Sequence, residues 1–169
     1  MNAIVYTSNT GTTKEYAKLL SDKLSLPYYS LDEIKNKVKP GGKIIYLGWI
    51  MASGVKGYKK VVKDYDVRAV CAVGMGATGT QVKEVRTKNK IPSAIPVFTL
   101  QGGFDVKKLH GIYKIMMTIM VKTAGKGLAN KQDRTQEEDQ MLEMMLHGGK
   151  YVDEKNLKAI LDWYGKRGE

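Results

Sequence analysis

Four runs of the chain, Ala3–Tyr6, Lys43–Trp49, Val67–Val73 and Ile95–Leu100, are continuous in apolar and β-branched residues where a half-exposed strand would alternate. Strands buried on both faces need that pattern, which is the pattern of a parallel sheet. Between the runs the period changes. Tyr16, Leu19, Leu20 and Leu24 recur at spacings of three and four, as do Val55, Tyr58, Val62 and Tyr65, so each set predicts one buried helix face. A weaker strand, Tyr28–Ser30, follows Pro27, and the Ser30-x-x-Glu33 pair reads as a capping box for a short helix that stops at Pro40-Gly41-Gly42. Asp153 is the expected N-cap of a last helix with Leu157, Ile160, Leu161 and Tyr164 on one face.

Strands that alternate with helices make an α/β doubly wound sheet with right-handed crossovers. A minimal five-strand fold does not accommodate Gly102 to Lys150, which reads as an insertion between the last strand and the last helix. Its first half, HGIYKIMMTIMV from His110 to Val121, is apolar almost all round, with Lys114, Thr118 and Lys122 as a narrow polar strip. Its second half predicts a helix opened by a Thr135-x-x-Glu138 capping box, carrying Met141, Leu142, Met144, Met145 and Leu146 and stopped at Gly148-Gly149. Six of the nine methionines lie in these two helices, which suits either a core or an adaptable contact surface.

The 169 residues, 43% of them hydrophobic, fit one domain over 1–169 with a self-sufficient core. The lone cysteine, Cys71, excludes an intramolecular disulfide framework, and no apolar window is long enough for a membrane span. With no leader pattern at the start, a cytoplasmic place is expected. The charge changes the picture more. A net +11, with eight lysines and no acid in residues 35–63, points to anionic partners. Nucleic acid is not expected among them, because the clusters lack interleaved aromatics or a base-reading motif. His110 and His147 stand alone, and neither an acid–base dyad nor a metal-ligand cluster appears.

The chemistry concentrates after the first strand. Thr7, Ser8, Asn9, Thr10, Gly11, Thr12 and Thr13 form a loop with five hydroxyls, an amide and a glycine, followed at once by a helix. Backbone N–H groups, the helix dipole and the hydroxyls all favour an anion there. The G-x-x-x-x-G-K-[ST] loop of nucleoside triphosphatases is absent, so a phosphate monoester is the expected ligand. Gly74-x-Gly76-x-x-Gly79 has the spacing of a dinucleotide fingerprint, but it follows a late strand and has no acidic residue at the required distance.

Ile4-Val5-Tyr6-Thr7-Ser8-Asn9-Thr10-Gly11-Thr12-Thr13, with Ala17 and Leu20 downstream, resembles the FMN phosphate signature of flavodoxins. The resemblance implies a three-layer sandwich with a five-stranded parallel sheet of order 2-1-3-4-5, and FMN at the switch point beyond the carboxyl ends of the strands. The ring would then be held by Gly48–Gly54, with Trp49, Ile50, Met51 and Ala52, and by Gly74, Met75, Gly76, Ala77, Thr78 and Gly79. Trp49 or Met51 would pack on the flavin face. Carrier flavodoxins are acidic around the ring, whereas neither loop here holds an acid. An anionic reduced flavin is accordingly less disfavoured, and its potential is expected to be higher.

Gly102-Gly103-Phe104-Asp105, Lys108-Leu109, Tyr113-Lys114-Ile115-Met116-Met117 and Met120-Val121-Lys122 are similar to the insertion of the menaquinone-dependent protoporphyrinogen IX dehydrogenases of the flavodoxin-like class. That resemblance implies a quinone- and membrane-proximal oxidase. Lys114, Lys122, Met116 and Met120 would dock a substrate or partner, with possible partners including an anionic tetrapyrrole and the inner membrane surface. The helix over Lys131–His147 departs from that family's pattern. The expected function is therefore FMN-based electron transfer with a protein or quinone partner, with protoporphyrinogen oxidation as the alternative. The chemistry would lie on the cofactor rather than on a catalytic side chain.

Overall fold

A computed structural model describes residues 1–104, 115, 118, 119 and 121–166. Strand β1 (Ala3–Thr7) leads into helix α1 (Thr12–Leu24), then β2 (Tyr28–Ser30), a 3-10 turn (Ile34–Asn36) and β3 (Lys43–Met51). The chain turns back as β4 (Gly54–Val55), then forms α2 (Tyr58–Asp64), β5 (Asp66–Gly74), α3 (Val82–Asn89) and β6 (Val97–Gln101). Beyond it come β7 (Gly103–Phe104), a π turn (Val121–Gly125), α4 (Lys126–Ala129), α5 (Gln136–His147) and β8 (Gly149–Lys150). A 3-10 turn (Glu154–Leu157) runs into α6 (Lys158–Gly165).

The main sheet has the order β2-β1-β3-β5-β6, and every pairing along that path is parallel. It has six strands rather than the expected five, because β4 pairs antiparallel with the end of β3. This extra strand displaces the expected 2-1-3-4-5 numbering at its last two places. β3 also runs to Met51, two residues past the expected end. β6 starts at Val97 rather than Ile95: Pro96 has no N–H to enter the ladder, and its carbonyl accepts from Val70 N.

The sheet lies between two apolar layers. On one face Ala3, Val5, Ile44, Tyr46, Val70 and Ala72 pack with Tyr58 and Val61 of α2 and Val85 of α3. On the other, Ile4, Ile45, Leu47, Ala69 and Cys71 pack with Tyr16, Ala17 and Leu20 of α1 and with Leu157 and Ile160. The middles of the strands are continuously buried, Ala3–Tyr6 in β1, Ile44–Gly48 in β3 and Ala69–Val73 in β5, as the continuous apolar runs require, while Arg68 and the strand ends are less buried. One helix face was misplaced by pattern alone. Val55 belongs to β4, α2 starts after Gly57, and the buried set is Tyr58, Val61 and Tyr65, with Val62 41% exposed.

The insertion is rooted by a small ribbon in which β7 pairs antiparallel with β8. The backbones approach so closely that a Cβ on Gly103 would lie 1.9 Å from the Gly149 carbonyl oxygen. The Thr135–Glu138 capping box forms as expected, and Met144 and Met145 are buried while Met141 is half-buried, so α5 uses two of its three methionines as core. The apolar helix expected over His110–Val121 falls largely outside the described residues, as do Lys114, Met116 and Met120. Of that segment, Ile115 and Ile119 are exposed, and Lys122 lies exposed in the π turn. Among the described residues no helix is long and apolar enough to cross a membrane.

Candidate functional site

The carboxyl ends of β1 and β3 lie side by side, with Thr7 paired to Gly48, and Trp49 is paired to Val73 of β5. The order of the sheet reverses direction here: from β1 the chain crosses first to β2 on one side, then to β3 on the other. In open α/β sheets this is where the loops part and leave a crevice for a ligand. The loop Ser8–Gly11 opens at that edge.

Gly11 ends the loop at φ +102°, a conformation that a side chain rarely adopts, and so turns the chain into α1. Its N–H donates to Ser8 Oγ at 3.2 Å, which closes the loop on itself. No side chain caps α1, so the amides of its first turn lack the acceptor that an N-cap would supply. Thr13 stands in that first turn. It is 1% exposed, and its Oγ1 is the one buried side-chain polar atom among the described residues without a hydrogen-bond partner. A buried hydroxyl left unpaired costs about 1–3 kcal/mol, a cost an acceptor on a ligand removes. Uncapped amides and an orphaned hydroxyl at one helix start fit a bound oxyanion.

The other hydroxyls of the loop are not equivalent. Tyr46 Oη donates to the Lys56 carbonyl at 2.6 Å, so its 2.7 Å contact with Thr7 Oγ1 is a bond that Thr7 donates. The Thr7 proton is thereby spent beneath the loop. Thr12 Oγ1 donates to the Gly103 carbonyl at 3.3 Å and ties the start of α1 to the root of the insertion. A second tie is the ion pair of Lys150 with Glu15 at 2.8 Å. The donors that remain for a ligand are the Ser8, Thr10 and Thr13 hydroxyls, the exposed Asn9 amide and the backbone.

Gly48–Gly54 is not a free loop. Trp49, Ile50 and Met51 are strand residues of a tight hairpin whose turn is Ala52-Ser53, both at positive φ. Asn89, at the end of α3, holds this hairpin from below. Its Oδ1 accepts from Val55 N at 2.8 Å, while its Nδ2 donates to Ser53 O at 2.9 Å and to Val85 O at 2.7 Å. On the hairpin's other arm the Lys56 N–H donates to the Trp49 carbonyl, and Lys56 Nζ lies 5.6 Å from the centre of the half-buried Trp49 ring.

The second glycine loop is divided in its use. Gly79 N donates to Thr99 O, and Thr78 Oγ1 accepts from Gln101 N at 2.9 Å, so both fasten the loop to β6. Thr80 Oγ1 closes the turn onto the Ala77 carbonyl. Gly74, Met75, Gly76 and Ala77 lie at the carboxyl edge and are half-buried.

Sequence reasoning missed Tyr46, Lys56, Asn89 and the Tyr16 cluster. Tyr16 Oη donates to Gln101 O at 2.5 Å and accepts from Asn156 Nδ2 at 2.7 Å, which joins α1, β6 and the turn before α6. Tyr46 and Tyr16 read as ordinary apolar positions within their runs. The local signal for the Tyr46 junction is Gly57 (φ +84°), where a Cβ would fall 2.0 Å from Tyr46 Oη and 2.6 Å from Thr7 Oγ1. Burial pushes the Tyr46 phenol and the Cys71 thiol well above their ordinary values, so neither is a nucleophile or base near neutrality. Among the described residues no group of His, Cys, Asp and Glu is placed to hold a metal. Comparison with protein-family models, curated proteins and solved structures finds no significant match.

Proposed function

We propose that residues Ser8–Thr13 bind the phosphate of FMN, and that the chain is a flavodoxin-like redox protein exchanging electrons through that cofactor with a protein or quinone partner. The observation that carries the reading is the orphaned Thr13 hydroxyl, buried in the uncapped first turn of α1 at the sheet's switch point. A phosphate monoester accepts from it and from the uncapped amides together. The ring would lie toward Trp49, Ile50 and Met51 on the β3–β4 hairpin and toward Gly74–Ala77, with Thr78 and Gly79 holding that second segment in place. FMN supplies one- or two-electron transfer. The protein supplies position and charge.

Two features separate this site from an acidic electron carrier. Its hairpin and glycine loop contain no carboxylate, and Lys56 stands over Trp49. Both favour an anionic partner or an electron pair on the cofactor. Protoporphyrinogen oxidation, with docking at Lys114, Met116, Met120 and Lys122, rests on the insertion sequence alone and is the second reading.

The test is a titration of the apoprotein with FMN, riboflavin and inorganic phosphate, followed by flavin fluorescence or calorimetry. FMN should bind at least about 100-fold more tightly than riboflavin, since several charge-assisted hydrogen bonds go to the phosphate. Equal affinities for FMN and riboflavin, or no FMN binding by a chain with a folded circular dichroism spectrum, would overturn the proposal.

A further inference from the structure

Charge is divided unequally between the two outer layers of the sandwich. Ile34, Val38, Tyr58, Val61, Val85 and Ile91 all turn into one apolar layer. The polar residues between them therefore face away from the sheet together. Lys35, Lys37 and Lys39 are exposed beside Ile34 and Val38, and Lys59, Lys60 and Lys63 stand opposite the buried stripe of α2. Lys83, Lys88 and Lys90 are exposed on α3 and just after it. Against these nine lysines, residues 32–40, 58–64 and 82–90 hold four acids. Two of the four are engaged: Asp32 lies 4.0 Å from Lys60, and Glu33 accepts from the Ser30 N–H and hydroxyl. The opposite layer is balanced, with six lysines and five acids over residues 12–24 and 153–166. Three of those lysines are paired, Lys23 with Glu154 at 2.7 Å, Lys155 with Asp153 at 3.0 Å and Lys158 with Asp162 at 2.6 Å.

The composition of the basic face selects its partner. Its one arginine, Arg86, is turned onto the backbone, donating to the carbonyls of Ile91 and Pro92. Tyr58 and Tyr65 are buried, which leaves Val62 as the large apolar side chain exposed among the lysines. Protein interfaces and nucleic-acid readout both draw on aromatic anchors and on arginine. Lysines offer hydrated point charges with no fixed fork of donors. Such charges sum against a fluid anionic layer, each strengthening the attraction by about fivefold near the surface. We propose that the face formed by α2, α3 and residues 35–39 docks this protein on an anionic bilayer surface, by charge and without insertion. It lies apart from the candidate phosphate loop, because α1 packs in the other layer, and it does not depend on the FMN reading.

The experiment is co-sedimentation of the full chain with phosphatidylcholine vesicles, with and without phosphatidylglycerol, at low and high ionic strength. The chain should bind the vesicles that contain phosphatidylglycerol and be released by salt. Replacing Lys59, Lys60 and Lys63 together by Gln should weaken that binding by about 100-fold. Replacing Lys35, Lys37 and Lys39 by Gln should weaken it in the same direction, and it decides the matter should the α2 variant not fold. The control replaces Lys18, Lys158 and Lys166 by Gln, which lowers the net charge equally on the other layer, and its binding should stay within about threefold of wild type. A wild-type chain that does not bind the anionic vesicles overturns the proposal. Equal losses in control and face variants would mean that net charge alone acts, and would also overturn it. So would binding that survives the face variants and is lost when Lys122 and Lys126 become Gln, since the contact would then run through the insertion. Tighter capture by polyglutamate or duplex DNA at the same charge concentration would assign the face to an acidic protein or a nucleic acid, against the proposal.

Discussion

The Tyr46 hydroxyl stands between Lys56 and Thr7, donating to the carbonyl of one at 2.6 Å and accepting from the hydroxyl of the other at 2.7 Å. It thereby fastens the hairpin after β3 to the last residue of β1. Removing that hydroxyl in Tyr46→Phe leaves a carbonyl and a hydroxyl without their shared partner in a buried place. The expected cost is about 1–3 kcal/mol of stability, read from the urea midpoint at unchanged slope. A loss below about 0.5 kcal/mol would mean that water replaces the tyrosine there.

Thr13→Val separates ligand binding from folding. The swap keeps the shape and removes a hydroxyl that has no partner in the protein, so stability should hold or rise by up to about 1 kcal/mol. FMN affinity should fall by about tenfold or more while riboflavin affinity stays put. A variant that loses stability and keeps FMN affinity would show that Thr13 is spent inside the fold.

Asn89 holds the candidate ring-binding hairpin by two hydrogen bonds, one accepted from Val55 N and one donated to Ser53 O, and donates a third to Val85 O of its own helix. Asn89→Asp keeps the acceptor and loses both donors while placing a charge at a 7% exposed position. It should destabilise by about 2–3 kcal/mol, more than an exposed Asn→Asp change, and hydrogen exchange at the Val55 amide should quicken. An unchanged melting temperature would remove Asn89 from this role.

The hairpin turn carries two L-residues, Ala52 and Ser53, at φ +47° and +59°. Both positions of a type I′ turn favour Asn and Gly, because a Cβ is strained there. The double change Ala52→Asn with Ser53→Gly should therefore raise stability by about 1 kcal/mol, visible as a higher melting temperature. A lower melting temperature would mean that the native side chains make contacts worth more than the strain.

Stability should fall at alkaline pH. Cys71 and Tyr46 have folded-state pKa values raised by burial above their ordinary 9.0 and 10.0. Below about pH 9 both folded and unfolded chains keep these protons. Above it the unfolded chain releases protons that the folded chain retains, so each rise in pH favours unfolding. Tyr16 and Tyr58 add to the same trend, burial being the main cause in each. Denaturant midpoints at pH 8, 10 and 11 check it, and a midpoint flat across that range would contradict the buried state of these groups.

Much of the architecture was legible in the sequence, because burial on both faces writes itself as continuous apolar runs. Ala3–Tyr6 and Val67–Val73 declared central parallel strands in that way, and Thr135 and Asp153 marked helix starts through local side-chain-to-backbone bonds that need no distant partner. The phosphate-loop candidate was legible for the same reason: its hydroxyls, its glycine and the helix after it are contiguous. What only the tertiary structure decided was which of those groups are already engaged. Thr7 and Thr12 look as available as Thr13 in the sequence, yet their hydroxyls are claimed by Tyr46, 39 residues away, and by Gly103, 91 residues away. The β3–β4 hairpin was read as a loop because its turn residues, Ala52-Ser53, carry no turn signature. Its conformation is held instead by Asn89, more than 30 residues on. Periodicity and local bonding are properties of neighbours along the chain, whereas the partner of a buried donor is a property of the packed fold.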